Sequence, residues 1–66
     1  MAMEGRDDLT AREREVLELI KRRWRNKEIA RHFVIEESTV ETHVHNALGK
    51  LGYRTRQELW NDLKLG

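Results

Sequence analysis

A chain of 66 residues with no cysteine has to hold its fold by side-chain packing alone, because neither a disulfide nor a thiolate-bound metal is open to it. A chain of this length buries only about 60% of its unfolded surface, which leaves room for one small domain and none for a deep catalytic cleft. Proline is absent as well and glycine occurs only four times, which favours helices joined by short turns. No apolar run is long enough to span a membrane, the mean hydropathy is −0.84, and the stretch from Met1 to Gly5 lacks the apolar core of a signal peptide. The expectation is an intracellular binding module.

The net charge of +1 argues at first against a polyanionic partner, but the charge is unevenly spread. From Lys21 to Arg31, six basic residues (Lys21, Arg22, Arg23, Arg25, Lys27 and Arg31) face one acid, Glu28. Acids prevail before this block, and His32 to Glu41 carries Glu36, Glu37 and Glu41 with no lysine or arginine. A basic block of this density is the electrostatic footprint of a nucleic-acid partner, and it is equally what a solvated helix end presents.

The periodicity predicts four helices. Thr10 with Glu13 forms a Thr-x-x-Glu capping box ahead of the stripe Val16, Leu17 and Ile20, so helix one runs from about Ala11 to Arg22. Asn26 can cap a short second helix whose Ile29, Ala30 and Phe33 share a face and which ends near His32 or Phe33. Val34 and Ile35 read as a short buried connection. A third helix follows from about Glu37 to Leu51, stopped by Gly52, with Val40, Val44, Ala47, Leu48 and Leu51 on one stripe. A second Thr-x-x-Glu start, Thr55 with Glu58, opens a fourth helix with Leu59 and Leu63 facing inward. Residues 1–8 read as a flexible lead or cloning remnant, and 9–66 as the domain.

A short helix, a tight connection and a longer helix make the outline of a helix-turn-helix, whose second helix enters the major groove. Opposite the apolar stripe of helix three lie Ser38, Thr42, His45, Asn46 and Gly49, with Glu41 beside them. Short hydrogen-bonding side chains let a backbone approach base edges and phosphates, although a polar outer face is also ordinary for a surface helix.

The blocks Leu9 to Leu17, Asn26 to Ala30, Ser38 to Val44 and Lys50 to Glu58 (LeuThrAlaArgGluArgGluValLeu, AsnLysGluIleAla, SerThrValGluThrHisVal, and LysLeuGly followed by ArgThrArgGlnGlu) resemble, in order and spacing, the LuxR family of helix-turn-helix domains. The resemblance implies an all-α, four-helix DNA-binding domain of a bacterial transcription regulator, with helix three as recognition helix and pairing as a weak homodimer on a two-fold DNA site. Carried over position by position, it implies base-facing sites at Glu41, Thr42 and His45, with Asn46 on the same face. It implies phosphate-facing sites at Lys27, Ser38, Thr39, Lys50 and Arg56, and dimer contacts at Trp60, Asn61 and Lys64. For Thr39 the hydroxyl and a free backbone N–H at the helix start would together hold a phosphate oxygen, and a capping role fits as well. Trp60 is equally suited to packing on helix one. Such regulators usually carry a receiver or ligand-binding domain ahead of this part, absent from this chain, and the expected place of action is the bacterial cytoplasm at the nucleoid.

Three departures from the family pattern stand out. Glu41 replaces a lysine or arginine; a carboxylate repels phosphate but accepts from the cytosine N4 amine. Arg25 and Glu36 stand where small capping residues are usual, with Asn26 and Ser38 as substitutes, and Arg23 stands where glycine is usual, which predicts an uncomfortable turn. If Glu41 removes DNA affinity, the alternative is a protein-interaction module docking through Trp24, Trp60 or the basic block. His43 and His45 point about 200° apart on a helix and cannot chelate one ion together, so no metal or other cofactor is expected. No serine or threonine here is set beside a base with an orienting third group, so no enzyme is expected either.

Overall fold

The computed structural model describes residues 9–65, and the expected lead at residues 1–8 lies outside them. Four helices follow one another: α1 Ala11–Lys21, α2 Asn26–Phe33, α3 Glu37–Leu51 and α4 Arg56–Leu65. The described residues contain no strand.

Each start is set by local chemistry. At α1 the capping box forms as expected, with Thr10 Oγ1 accepting from the Glu13 N–H at 3.1 Å and Glu13 Oε1 from the Thr10 N–H at 3.0 Å. The helix ends one residue sooner than expected, at Lys21, because Arg22 takes the C-cap position. At α2 the cap is Arg25 and not Asn26: its side chain caps nothing, and Glu28 Oε1 accepts from its backbone N–H at 2.8 Å. Asn26 lies inside the first turn, where its amide is drawn elsewhere. At α3 the cap is Glu36, again with no side-chain bond, and Ser38 does not substitute for it. At α4 only half of the expected box closes. Thr55 Oγ1 accepts from the Glu58 N–H at 3.2 Å, but Glu58 Oε1 accepts from the Arg54 N–H at 2.7 Å instead of from Thr55.

Two turns use a left-handed residue that is not glycine. Arg23, with φ 70°, carries the chain out of α1, the discomfort its side chain predicted. Val34, with φ 57° and ψ 52°, joins α2 to α3, and it is 87% exposed. The expected buried connection is therefore half wrong. Only Ile35 packs against the core, because the left-handed twist that turns the chain from α2 into α3 aims Val34 at solvent. Gly52, with φ 89°, ends α3 as expected.

The core gathers one face of every helix. Val16, Ile20, Ile29 and Val40 are its largest fully buried members, joined by Leu17, Val44, Ala47, Leu48 and Leu59. Burying each of the large aliphatic chains stabilises the fold by about 1.5–3 kcal/mol relative to leaving it exposed. α1 and α2 both pack on α3, and α4 packs on α1. Leu63, expected to face inward with Leu59, is 47% exposed, since the inward face of α4 narrows toward its C-terminal end. Arg12 stacks on the Phe33 ring at 4.1 Å, which ties α1 to α2 outside the core.

Candidate nucleic-acid interface

The apolar stripe of α3 is turned inward by Val40, Val44, Ala47 and Leu48, so its opposite face is fixed outward. Ser38, Thr39, Glu41, Thr42, His45, Asn46 and Gly49 are all exposed. The Thr42 hydroxyl donates to the Ser38 carbonyl at 3.2 Å, which spends its hydrogen and leaves the oxygen's lone pairs outward. Gly49 has open space where a Cβ would stand, so the C-terminal half of this face is low in relief. The Thr39 N–H, expected to be free for a phosphate, is donated to the Glu36 carbonyl at 3.0 Å; its hydroxyl remains.

The expected phosphate-facing residues divide into two kinds. Lys27 is exposed, makes no ion pair among the described residues, and lines a shallow depression with Arg31 and the α2–α3 turn. Lys50, by contrast, is exposed but reaches from α3 to α1. Its Nζ lies 2.8 Å from Oε1 of Glu13, whose side chain is only 5% exposed. The hydrogen bond from Lys50, helped by that from the Thr10 N–H, holds the Glu13 carboxyl below its usual range against the opposing effect of burial. Lys50 thus serves α1, and the expected outward role conflicts with this geometry. Position along the helix alone did not reveal it, because the partner lies 37 residues away.

Arg56 lies between these cases. Its Nη2 donates to Asn26 Oδ1, which fastens the start of α4 to the start of α2 and explains why Asn26 is not a cap. Partial burial draws the guanidinium below its usual range, and the nearby Glu41 carboxylate opposes that shift. Glu41, His45, Arg54, Thr55 and Arg56 rim a shallow depression over Val44 and Leu48. Arg54 is a member that the sequence reading missed; its one signal was a basic residue directly before the capping Thr55.

Trp60 is committed inside the chain. Its Nε1 donates to the Ile20 carbonyl at 2.8 Å and Arg23 stacks over its ring at 4.1 Å, so packing on α1 holds for this residue. Asn61 and Lys64 are exposed further along α4. His43 is half-buried close to Glu13, and no cluster of metal-ligating side chains occurs among the described residues. No helix among them is long and apolar enough to cross a membrane.

A short helix and a longer one joined by a tight left-handed turn, with the short helix and the first helix both packed on the longer one and its outer face bare, define a helix-turn-helix domain. The family model for bacterial regulatory proteins of the luxR family matches residues 7–61, and the chain belongs to that family of DNA-binding transcription regulators. It is 48% identical over 50 residues to the spore germination protein GerE of Bacillus subtilis, covering 76% of this chain and 68% of that protein. It is 46% identical over 52 residues to the nitrate/nitrite response regulator protein NarL of Escherichia coli, covering 79% of this chain but 24% of that protein. The transcriptional regulatory protein MctR of Rhizobium johnstonii is 50% identical over 52 residues, with 24% of its length covered. The chain thus spans about a quarter of the longer relatives. No solved structure gives a significant match. The family is a class of DNA-binding domain and not a class of enzyme.

Proposed function

We propose that this chain binds double-stranded DNA in a sequence-specific way to regulate transcription, with α3 in the major groove and two copies paired on a two-fold site. The observation that carries the reading is the outer face of α3. Seven outward positions between Ser38 and Gly49 are exposed, short or hydrogen-bonding, and held by an inner stripe packed into the core. The cations Lys27 and Arg31 at the edge of the turn, and Arg54 and Arg56 beside α3, support the reading, since phosphates flank an inserted helix. Base contacts are assigned to Glu41, Thr42, His45 and Asn46, and phosphate contacts to Lys27, Ser38, Thr39 and Arg56. Asn61 and Lys64, both exposed on α4, are assigned to contact with a second copy. A receiver or ligand-binding domain ahead of the DNA-binding part is the proposed source of regulation, in keeping with the similarity to the response regulator protein NarL. Titration against a mixed-sequence duplex across a range of salt tests the reading. Four phosphates neutralised, one for each of Lys27, Arg31, Arg54 and Arg56, give a log-log slope of about −3.6 for each copy bound. Absence of salt-dependent binding at micromolar protein would overturn it in favour of a protein-docking module.

A further inference from the structure

Glu41 stands on the outer face of α3 one turn before His45, exposed, and makes no hydrogen bond or ion pair among the described residues. Its surroundings are basic, since it shares its depression with Arg54 and Arg56. The Arg56 guanidinium, whose Nη2 donates to Asn26 at the start of α2, makes no ion pair with this carboxylate. A cation is therefore held beside an anion without covering it, and the carboxylate oxygens keep their lone pairs outward.

A carboxylate offers acceptors only. On the major-groove edges it is repelled by guanine O6 and N7 and by thymine O4, and attracted by two groups, the cytosine N4 amine and the adenine N6 amine. Adenine places the N7 acceptor directly beside its amine, whereas cytosine has no acceptor on that edge, so cytosine is the better partner for a charged acceptor. We propose that Glu41 is a specificity-determining residue that reads cytosine through its N4 amine, and that Arg56, anchored by Asn26, is the positioning residue that keeps the carboxylate facing the groove. The proposal rests on the DNA-binding reading above and names the base that the same face selects.

The 66-residue chain is used to select duplexes from a random-core pool, and the enriched sequence is then measured against duplexes carrying each other base at the enriched positions. Cytosine is expected at one position of each half-site, and its replacement weakens binding about 5- to 100-fold. Glu41→Ala flattens the preference there without changing the salt slope. Glu41→Lys moves it to guanine, whose O6 and N7 accept from an ammonium group. Arg56→Ala lowers the discrimination at that position several-fold while leaving the others intact, and Arg56→Lys restores part of it, which a purely structural role would not do. Glu41 is exposed, so its variants keep the helical circular dichroism of the parent. A selected sequence that is the same for the parent and Glu41→Ala, or adenine in place of cytosine, overturns the proposal. Failure to bind any duplex overturns the DNA-binding reading along with it, whereas binding indifferent to residue 41 overturns this inference alone.

Discussion

Lys50 Nζ lies 2.8 Å from Glu13 Oε1, and the same oxygen accepts from the Thr10 N–H at 3.0 Å, so one buried carboxylate both caps α1 and pins it to the C-terminal part of α3. Because the folded state holds this carboxyl below its ordinary value of 4.5, the stabilisation is complete above that pH and is lost as pH falls through the lowered value. Glu13→Gln should therefore flatten the fall of stability below about pH 4.5 seen with the parent in acid unfolding followed by circular dichroism. Glu13→Ala, which removes the ion pair to Lys50 and opens the capping box, should cost about 1–2 kcal/mol in urea unfolding. An unchanged acid limb in Glu13→Gln would remove the pair from the stability account.

Val34 is a β-branched residue in the left-handed region with its side chain 87% exposed. The conformation costs roughly 1–2 kcal/mol for a residue of this kind, and no burial compensates it. Val34→Asn should stabilise the domain by about 1 kcal/mol, since asparagine tolerates this backbone, and raise Tm by roughly 4–8 °C for a chain of this size. Glycine should gain less at the same position, because it also loosens the unfolded chain. Thermal scans of the two variants settle the order, and a Tm no higher than the parent's in Val34→Asn would refute the strain.

The contrast between Glu13 and Val34 marks how far the sequence could be read. The Thr10 to Glu13 box, the stripe Val40, Val44, Ala47 and Leu48, and the stop at Gly52 depend on neighbours within a turn, so spacing alone locates them. The outer face of α3 followed from its inner one. The partner of Glu13 is 37 residues away and the partner of Asn26 is 30 away, and no local pattern encodes such pairings. Local spacing therefore predicts an outward role for Lys50 and a capping role for Asn26, and long-range pairing overrides both. Val34 and Ile35 form an apolar pair too short to have a period, and Leu63 obeys the period of α4 beyond the point where the core ends.

Trp60 joins α4 to α1 through the Ile20 carbonyl, and Arg23 roofs its ring. The Ile20 carbonyl also accepts from the Arg23 N–H at 2.9 Å, so losing the indole donor does not orphan it. Trp60→Phe should cost about 1 kcal/mol, and Trp60→Ala about 2–3 kcal/mol for a half-buried aromatic. Both losses should be independent of protein concentration, as befits a contact within one chain. Asn61→Ala and Lys64→Ala should leave Tm unchanged and instead weaken cooperative binding to a duplex with two half-sites. A concentration-dependent Tm loss in Trp60→Ala would place the indole between copies.

Lys27 and Lys50 were expected to act alike, and the geometry separates them. Lys27 is exposed with no ion pair among the described residues, whereas Lys50 is drawn onto Glu13. Each phosphate contact contributes a slope of about −0.9 to the dependence of log K on log salt. Lys27→Ala should therefore make the slope of duplex binding shallower by about 1 without altering sequence preference. Lys50→Met should leave the slope unchanged and lower Tm, because its ammonium belongs to the fold. The two variants are compared at a temperature where circular dichroism shows both fully helical. An equal loss of slope in Lys50→Met would mean that the lysine leaves Glu13 for a phosphate when DNA binds.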